Sequence, residues 1–248
     1  MRNILIVASG KAQSGKTTFS QILRDYIHNK DISEHMKDEN SFTYLNAPGV
    51  SRVQVHSFAT ALKDIAKKYF NWDGSKENVM LPAPPGTKDA TELPAPDKGR
   101  QLLINIGKKF REIRPSIWLD YVINEIKRID KEKDTVDGTI FVIDDLRFKN
   151  ELILSKTFHS CVSVRITRKE GALNLDDISE TDLDDASFDY YIENDGTKEE
   201  FREKIAKLYD DIIEKYNDPA YRFQNVKFSD KEAAEIETQV KKLNEWSA

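Results

Sequence analysis

Asn3-Ile4-Leu5-Ile6-Val7-Ala8-Ser9-Gly10-Lys11-Ala12-Gln13-Ser14-Gly15-Lys16-Thr17 is an apolar run that passes without a break into a complete GxxxxGK[ST] loop. A buried strand delivers the chain to a tight turn whose backbone N–H groups point inward, and the helix that follows adds its positive end to the same cavity. Phosphate groups fit such a cradle. Gly10, Ala12, Ser14, Gly15 and Thr18 belong to it, Lys16 is placed to reach terminal phosphates, and the Thr17 hydroxyl is placed to hold Mg²⁺. Phe19, Ile22, Leu23, Tyr26 and Ile27 follow at helical spacing, which supplies the helix that the loop requires.

Further apolar runs predict strands at 53–56, 139–143, 161–166 and 190–192. Helical patterns lie between them, over 58–69 and 117–129, and after them from Phe201 to Ile212 behind a Thr197-Lys198-Glu199-Glu200 capping box. Strands alternating with helices imply an α/β fold with a mostly parallel sheet flanked by helices, whose ligands sit at the carboxyl ends of the strands. Residues 29–40 are charged and nearly free of large apolar side chains, and residues 82–99 are rich in proline; both read as loops. A second capping box at Ser229 opens a last helix over 229–247, which either closes the fold or docks on a second copy in a homodimer.

Composition narrows the classes. A chain of 248 residues with 33% charged side chains and a net charge of −5 has no general attraction for nucleic acid or membrane. A single cysteine, Cys161, excludes a disulfide framework and multi-cysteine metal sites, and inside an apolar strand it reads as core. His28, His35, His56 and His159 are scattered without metal-ligand spacing. No apolar run reaches the ~20 residues of a membrane span, and the expected location is the cytoplasm.

Two more groups of residues carry chemistry. The strand Phe141-Val142-Ile143 ends in Asp144-Asp145, which puts a carboxylate where it can orient hydrated Mg²⁺ or take up a proton, although helix capping explains such a residue equally. Arg100, Arg111, Arg114, Arg165 and Arg168 stand at element ends, where a guanidinium fork can take two phosphate oxygens; a solvated charged face is the alternative.

The loop, SFATALK (57–63), GRQLLINIGKKFR (99–111), Trp118, DLRFKNE (145–151), RITR (165–168), ISE (178–180) and FDYYIENDGT (188–197) occur in the order seen in bacteriophage deoxynucleoside monophosphate kinases, which the chain resembles over about residues 1–216. The resemblance implies a P-loop kinase fold spanning 1–248 as one domain, with an acceptor-binding insertion over 45–120 and a lid-like segment at 168–186. It implies transfer of the γ-phosphoryl of ATP to deoxynucleoside monophosphates, with Mg²⁺, for DNA precursor synthesis in the host cytoplasm. By position, Lys16, Asp145, Arg147 and Arg168 would be catalytic. Arg165 would join the loop in binding ATP, and Thr17 and Asp144 would hold the metal. Lys63, Arg100, Arg111, Trp118, Asp145 and Glu151 would bind the acceptor, with Trp118 beside the base or, equally, in the core. Many phage relatives carry aspartate after the loop lysine, where this chain has Thr17. The types of Ser179 and Glu180 indicate no role by themselves.

Two other functions fit the loop. Another small-molecule kinase, acting on a nucleoside or coenzyme precursor, would share the loop and Asp145 but would not need the arginines that a phosphorylated acceptor needs. A nucleotide-driven switch or DNA motor would be expected to carry a basic channel, which this acidic chain lacks.

Overall fold

A computed structural model describes residues 3–35, 52–74, 99–131, 138–156, 160–169 and 178–218, with the isolated residues 234 and 238. The chain divides into two compact units, Met1–His56 with Ile126–Ala248, and Ser57–Glu125. The second overlaps the stretch expected as an insertion.

The first unit is built on five strands, β1 (Ile4–Ser9), β2 (Val53–His56), β3 (Ile140–Leu146), β4 (Cys161–Thr167) and β5 (Tyr190–Glu193). Their order is β2-β3-β1-β4-β5 and every pairing is parallel. Such a sheet needs cover on both faces, and every residue of β1 is accordingly buried. Ile4, Ile6 and Ala8 alternate onto one face. There they pack with Phe19, Leu23 and Ile27 of α1 (Lys16–His35) and with Phe201, Ile205 and Ile212 of α7 (Lys198–Asn217). Each large side chain so buried contributes about 1.5–3 kcal/mol. The capping box forms as expected: Glu200 N–H donates to Thr197 Oγ1 at 3.2 Å and Thr197 N–H to Glu200 Oε2 at 2.7 Å.

The unit also holds α5 (Lys149–Ser155) and the four-residue α6 (Ile178–Thr181). The second unit contains α2 (Ala59–Phe70) and α3 (Gly99–Ile113), which contact each other, and the chain returns to the first unit within α4 (Ile117–Lys131).

Three boundaries differ from expectation. Residues 29–35, read as loop, continue α1 as helix, because charge pairs replace the missing apolar face. Asp31 is buried against Arg52 at 2.7 Å, and Lys30 reaches Asp210 at 2.6 Å. Strand β3 does not stop at Ile143 but runs through both aspartates to Leu146. Gly99, placed at the end of a loop, opens α3. Residues 36–40, 82–98 and 170–177, and the last helix expected over 229–247 apart from Ala234 and Thr238, lie outside the described residues.

Candidate functional site

The carboxyl ends of β1, β3 and β4 lie together, with Ser9 opposite both Leu146 and Arg165. The glycine loop starts there. Its path requires left-handed backbone at Gln13 (φ +64°) and Gly15 (φ +102°) before α1 begins, and Phe19 N–H closes the first helical turn on Gly15 O at 2.8 Å. Glycine at position 10 is needed for space, since a methyl group would stand 2.5 Å from Ile166 O and 2.4 Å from Ser14 Oγ. Lys16 is buried and folds back across the loop, donating from Nζ to Gly10 O at 2.6 Å and to Lys11 O at 2.8 Å. The Ser14 hydroxyl is buried with no hydrogen-bond partner among the described residues.

The aspartate wall comes from a bulge. Val7 pairs with Ile143 but Ser9 with Leu146, so Asp144 and Asp145 together stand against Ala8. A bulge re-aims side chains, and here it brings two consecutive carboxylates to bear on one ammonium group. Burial lowers Lys16 to about 8; Arg147 pushes it the same way, while Glu180, Asp145 and Asp144 oppose the shift. Ser20 Oγ, in the first turns of α1, lies 3.1 Å from Asp144 Oδ2 and 3.0 Å from Thr17 O, and its single hydrogen serves one or the other, which links Asp144 to the turn that carries Thr17. Among the described residues no group of three or more His, Cys, Asp or Glu side chains is placed to hold a metal ion, so the metal expected on Thr17 and Asp144 rests on this link through Ser20. The tight glycine cradle, the buried Ser14 hydroxyl and the desolvated Lys16, by contrast, suit an anionic phosphate.

The residues after β3 meet two buried glutamates. Glu151 accepts the N–H groups of Arg147 at 3.0 Å and Phe148 at 3.2 Å, so it caps α5. Glu180, assigned no role by its type, accepts Arg147 Nη1 at 2.6 Å on one oxygen and the loop's own Ala12 N–H at 2.7 Å on the other. Asn194, just past β5, was likewise without a role. Its Nδ2 donates to Ser14 O at 3.0 Å, and a methyl group on Gly15 would strike the same nitrogen. The one available signal for these two was their place in short motifs of the family resemblance.

Arg165 sits beside the loop with Nη1 on Ser9 Oγ at 2.9 Å, Nη2 on Asp184 at 2.7 Å, and its guanidinium 5.6 Å from the Phe188 ring centroid. Arg168 is exposed and reaches Gln13 O at a long 3.5 Å. With Lys11, Ser14 and Lys169, these two arginines line an open cavity of about 280 Å³.

The other expected site residues belong to the second unit. Lys63 is half-buried on α2, and Arg111 lies on α3 with its guanidinium folded toward Gly107. Arg100 stands in the first turn of α3, and its side chain lies outside the described residues. Trp118 is buried at 3% exposure, stacked on Phe110 at 5.4 Å, with its indole N–H directed to Gly107 O at 3.4 Å. That makes it a core side chain of this unit.

Among the described residues no helix is long and apolar enough to cross a membrane. Comparison of the chain with protein-family models and with curated proteins returns no match.

Proposed function

We propose that the chain is a P-loop kinase that transfers the γ-phosphoryl group of ATP to deoxynucleoside 5′-monophosphates, giving diphosphates for DNA synthesis in the cytoplasm. The observation that carries the reading is Lys16, a desolvated ammonium group anchored on the loop carbonyls of Gly10 and Lys11 beside Asp144 and Asp145. Donors held in place in this way stabilise charge without reorganising during the reaction.

In this reading the loop N–H groups and Lys16 take the phosphates of ATP, and Thr17 and Asp144 hold Mg²⁺, which when bound neutralises phosphate charge. An oxygen of the acceptor phosphate bonds to the γ-phosphorus while the bond to the β-phosphate oxygen breaks, releasing ADP. No covalent enzyme intermediate is needed. Arg147, Arg165 and Arg168 supply positive charge to the migrating group and Asp145 belongs to the acceptor side, while Glu151, expected there as well, is buried as the cap of α5 and serves by holding the Arg147 backbone. Lys63, Arg100 and Arg111 are assigned to the acceptor phosphate from the family resemblance. They favour a phosphorylated acceptor over a neutral nucleoside.

The test is incubation with ATP·Mg²⁺ and each deoxy- and ribonucleoside monophosphate, with chromatographic separation of products. Deoxynucleoside diphosphates are expected, with turnover in Lys16→Ala reduced by about 10²–10³. ATP binding without transfer to any monophosphate would overturn the acceptor assignment and leave a different small-molecule kinase or a switch.

A further inference from the structure

We infer that Glu180 is a positioning residue, a single carboxylate that fastens the guanidinium of Arg147 to the glycine loop and so fixes the arginine relative to bound polyphosphate. The inference rests on the kinase reading of the site and assigns a role to a residue outside its phosphate-binding set.

The geometry is specific. Each oxygen of Glu180 has its own partner, Arg147 Nη1 at 2.6 Å and Ala12 N–H at 2.7 Å, both at the short end of the charge-assisted range. These partners lie 33 and 168 residues away in sequence, so the carboxylate joins three separate parts of the chain. The Glu180 side chain is only 1% exposed, whereas that of Arg147 remains 32% exposed. One edge of the arginine is therefore committed to Glu180 while the remainder still faces solvent, where an anion can approach. The Arg147 backbone is fixed independently, because its N–H donates to the buried Glu151.

A folding staple would not require this arrangement. Residues 178–185 are already seated by Leu183, buried at 3%, by Asp182, which accepts Lys149 N–H at 2.7 Å, and by Asp184 on Arg165. A buried ion pair adds little that a well-packed apolar side chain would not, since desolvation offsets much of its attraction. What only a carboxylate supplies is direction: it can accept the loop N–H and the guanidinium at once. Glutamine of the same shape cannot, because one end of its amide presents donors to a donor.

The experiment is a double-mutant cycle of Glu180→Gln and Arg147→Ala in the full chain, reading deoxynucleotide turnover, ATP·Mg²⁺ affinity by calorimetry, and the unfolding midpoint. Glu180→Gln is expected to lower turnover about ten- to a hundredfold, the worth of one charged hydrogen bond. In the Arg147→Ala background the same change is expected to alter turnover by less than about twofold, because its effect passes through the arginine. Glu180→Asp, too short to span both partners, is expected to fall between, and carries the test if the glutamine variant does not fold. A lowered unfolding midpoint with unchanged turnover, or the same factor with and without Arg147, overturns the inference and leaves the kinase reading standing. If the wild-type protein binds ATP·Mg²⁺ but phosphorylates no monophosphate, the acceptor assignment fails alone, and the cycle is read on affinity, where an absence of coupling overturns the inference. If it binds no ATP·Mg²⁺, both fall.

Discussion

The glycine loop at residues 10–17 and the acidic segment at 178–185 meet in one place and are shaped by opposite physics. The loop owes its form to backbone: two left-handed residues, a glycine too crowded for any methyl group, and main-chain carbonyls that hold Lys16. The segment has one short turn of helix, seated by the buried Leu183, and what it presents to its surroundings is charge, with Glu180, Asp184 and Asp185 each paired to a cation from elsewhere in the chain. Covalent geometry does not respond to salt or pH, whereas ion pairs respond to both. Changes in the loop are therefore expected to act first on stability, and changes in the segment on alignment and ligand charge.

The largest effect on stability is expected from Gly10→Ala. The new methyl would meet Ile166 O, a backbone carbonyl of β4 whose strand is paired with β5 at this position, so it cannot turn away as a flexible side chain would. Overpacking of this kind costs about 1–3 kcal/mol. Urea unfolding is expected to show a lower midpoint at unchanged slope, with the deficit the same at low and high salt. A deficit that disappears at high salt would place the loop in the electrostatic class and break the comparison.

The same contrast explains what could be read from sequence. The apolar run before Gly10, the loop spacing and the Thr197 capping box are local rules, and the chain obeys them where expected. Charges that find partners far away leave no periodic trace. The last turns of α1 look like a loop because Lys30 and Asp31 are satisfied by Asp210 and Arg52, distant in sequence. The bulge at Asp144 and Asp145 depends on register against β1, which neither strand encodes alone. Glu180 and Asn194 have side chains of ordinary type, and only the fold brings them onto the loop.

Next in size is the pH response of Lys16, which belongs to the loop but senses the segment through Glu180. With the folded value near 8 against 10.5 unfolded, both states hold the proton below about pH 8 and Lys16 adds no pH dependence to stability there. Between the two values the unfolded chain binds more protons, so this group makes stability rise with pH. Ligand binding has the opposite sign. A phosphate draws the lysine back to its charged form, so binding takes up a proton, and ATP·Mg²⁺ affinity is expected to fall by up to about tenfold per pH unit above pH 8. Calorimetry at pH 7 to 9.5 in buffers of differing ionisation enthalpy measures that uptake directly. Affinity independent of pH across this range would mean that Lys16 does not meet the phosphates.

The smallest effect, and the one that separates the segment's own carboxylates, is expected from Asp184→Asn. Asp184 pairs with Arg165 at 2.7 Å and Lys11 at 3.4 Å, but its side chain is 42% exposed, so the pairs contribute no more than about 1 kcal/mol. Arg165 keeps Ser9 and Phe188 as neighbours without it. Removing this negative charge from the rim of a cationic cavity lowers the repulsion felt by an incoming polyphosphate. ATP·Mg²⁺ is therefore expected to bind about two- to fivefold more tightly at low salt, with the gain gone near 0.5 M salt. Glu180→Gln, a charge removal of the same sign four residues away, is expected to weaken function because Glu180 aligns the site whereas Asp184 only competes with its ligand. Opposite signs from neighbouring carboxylates cannot come from net charge alone. If both substitutions tighten binding, the segment acts merely as a cloud of negative charge.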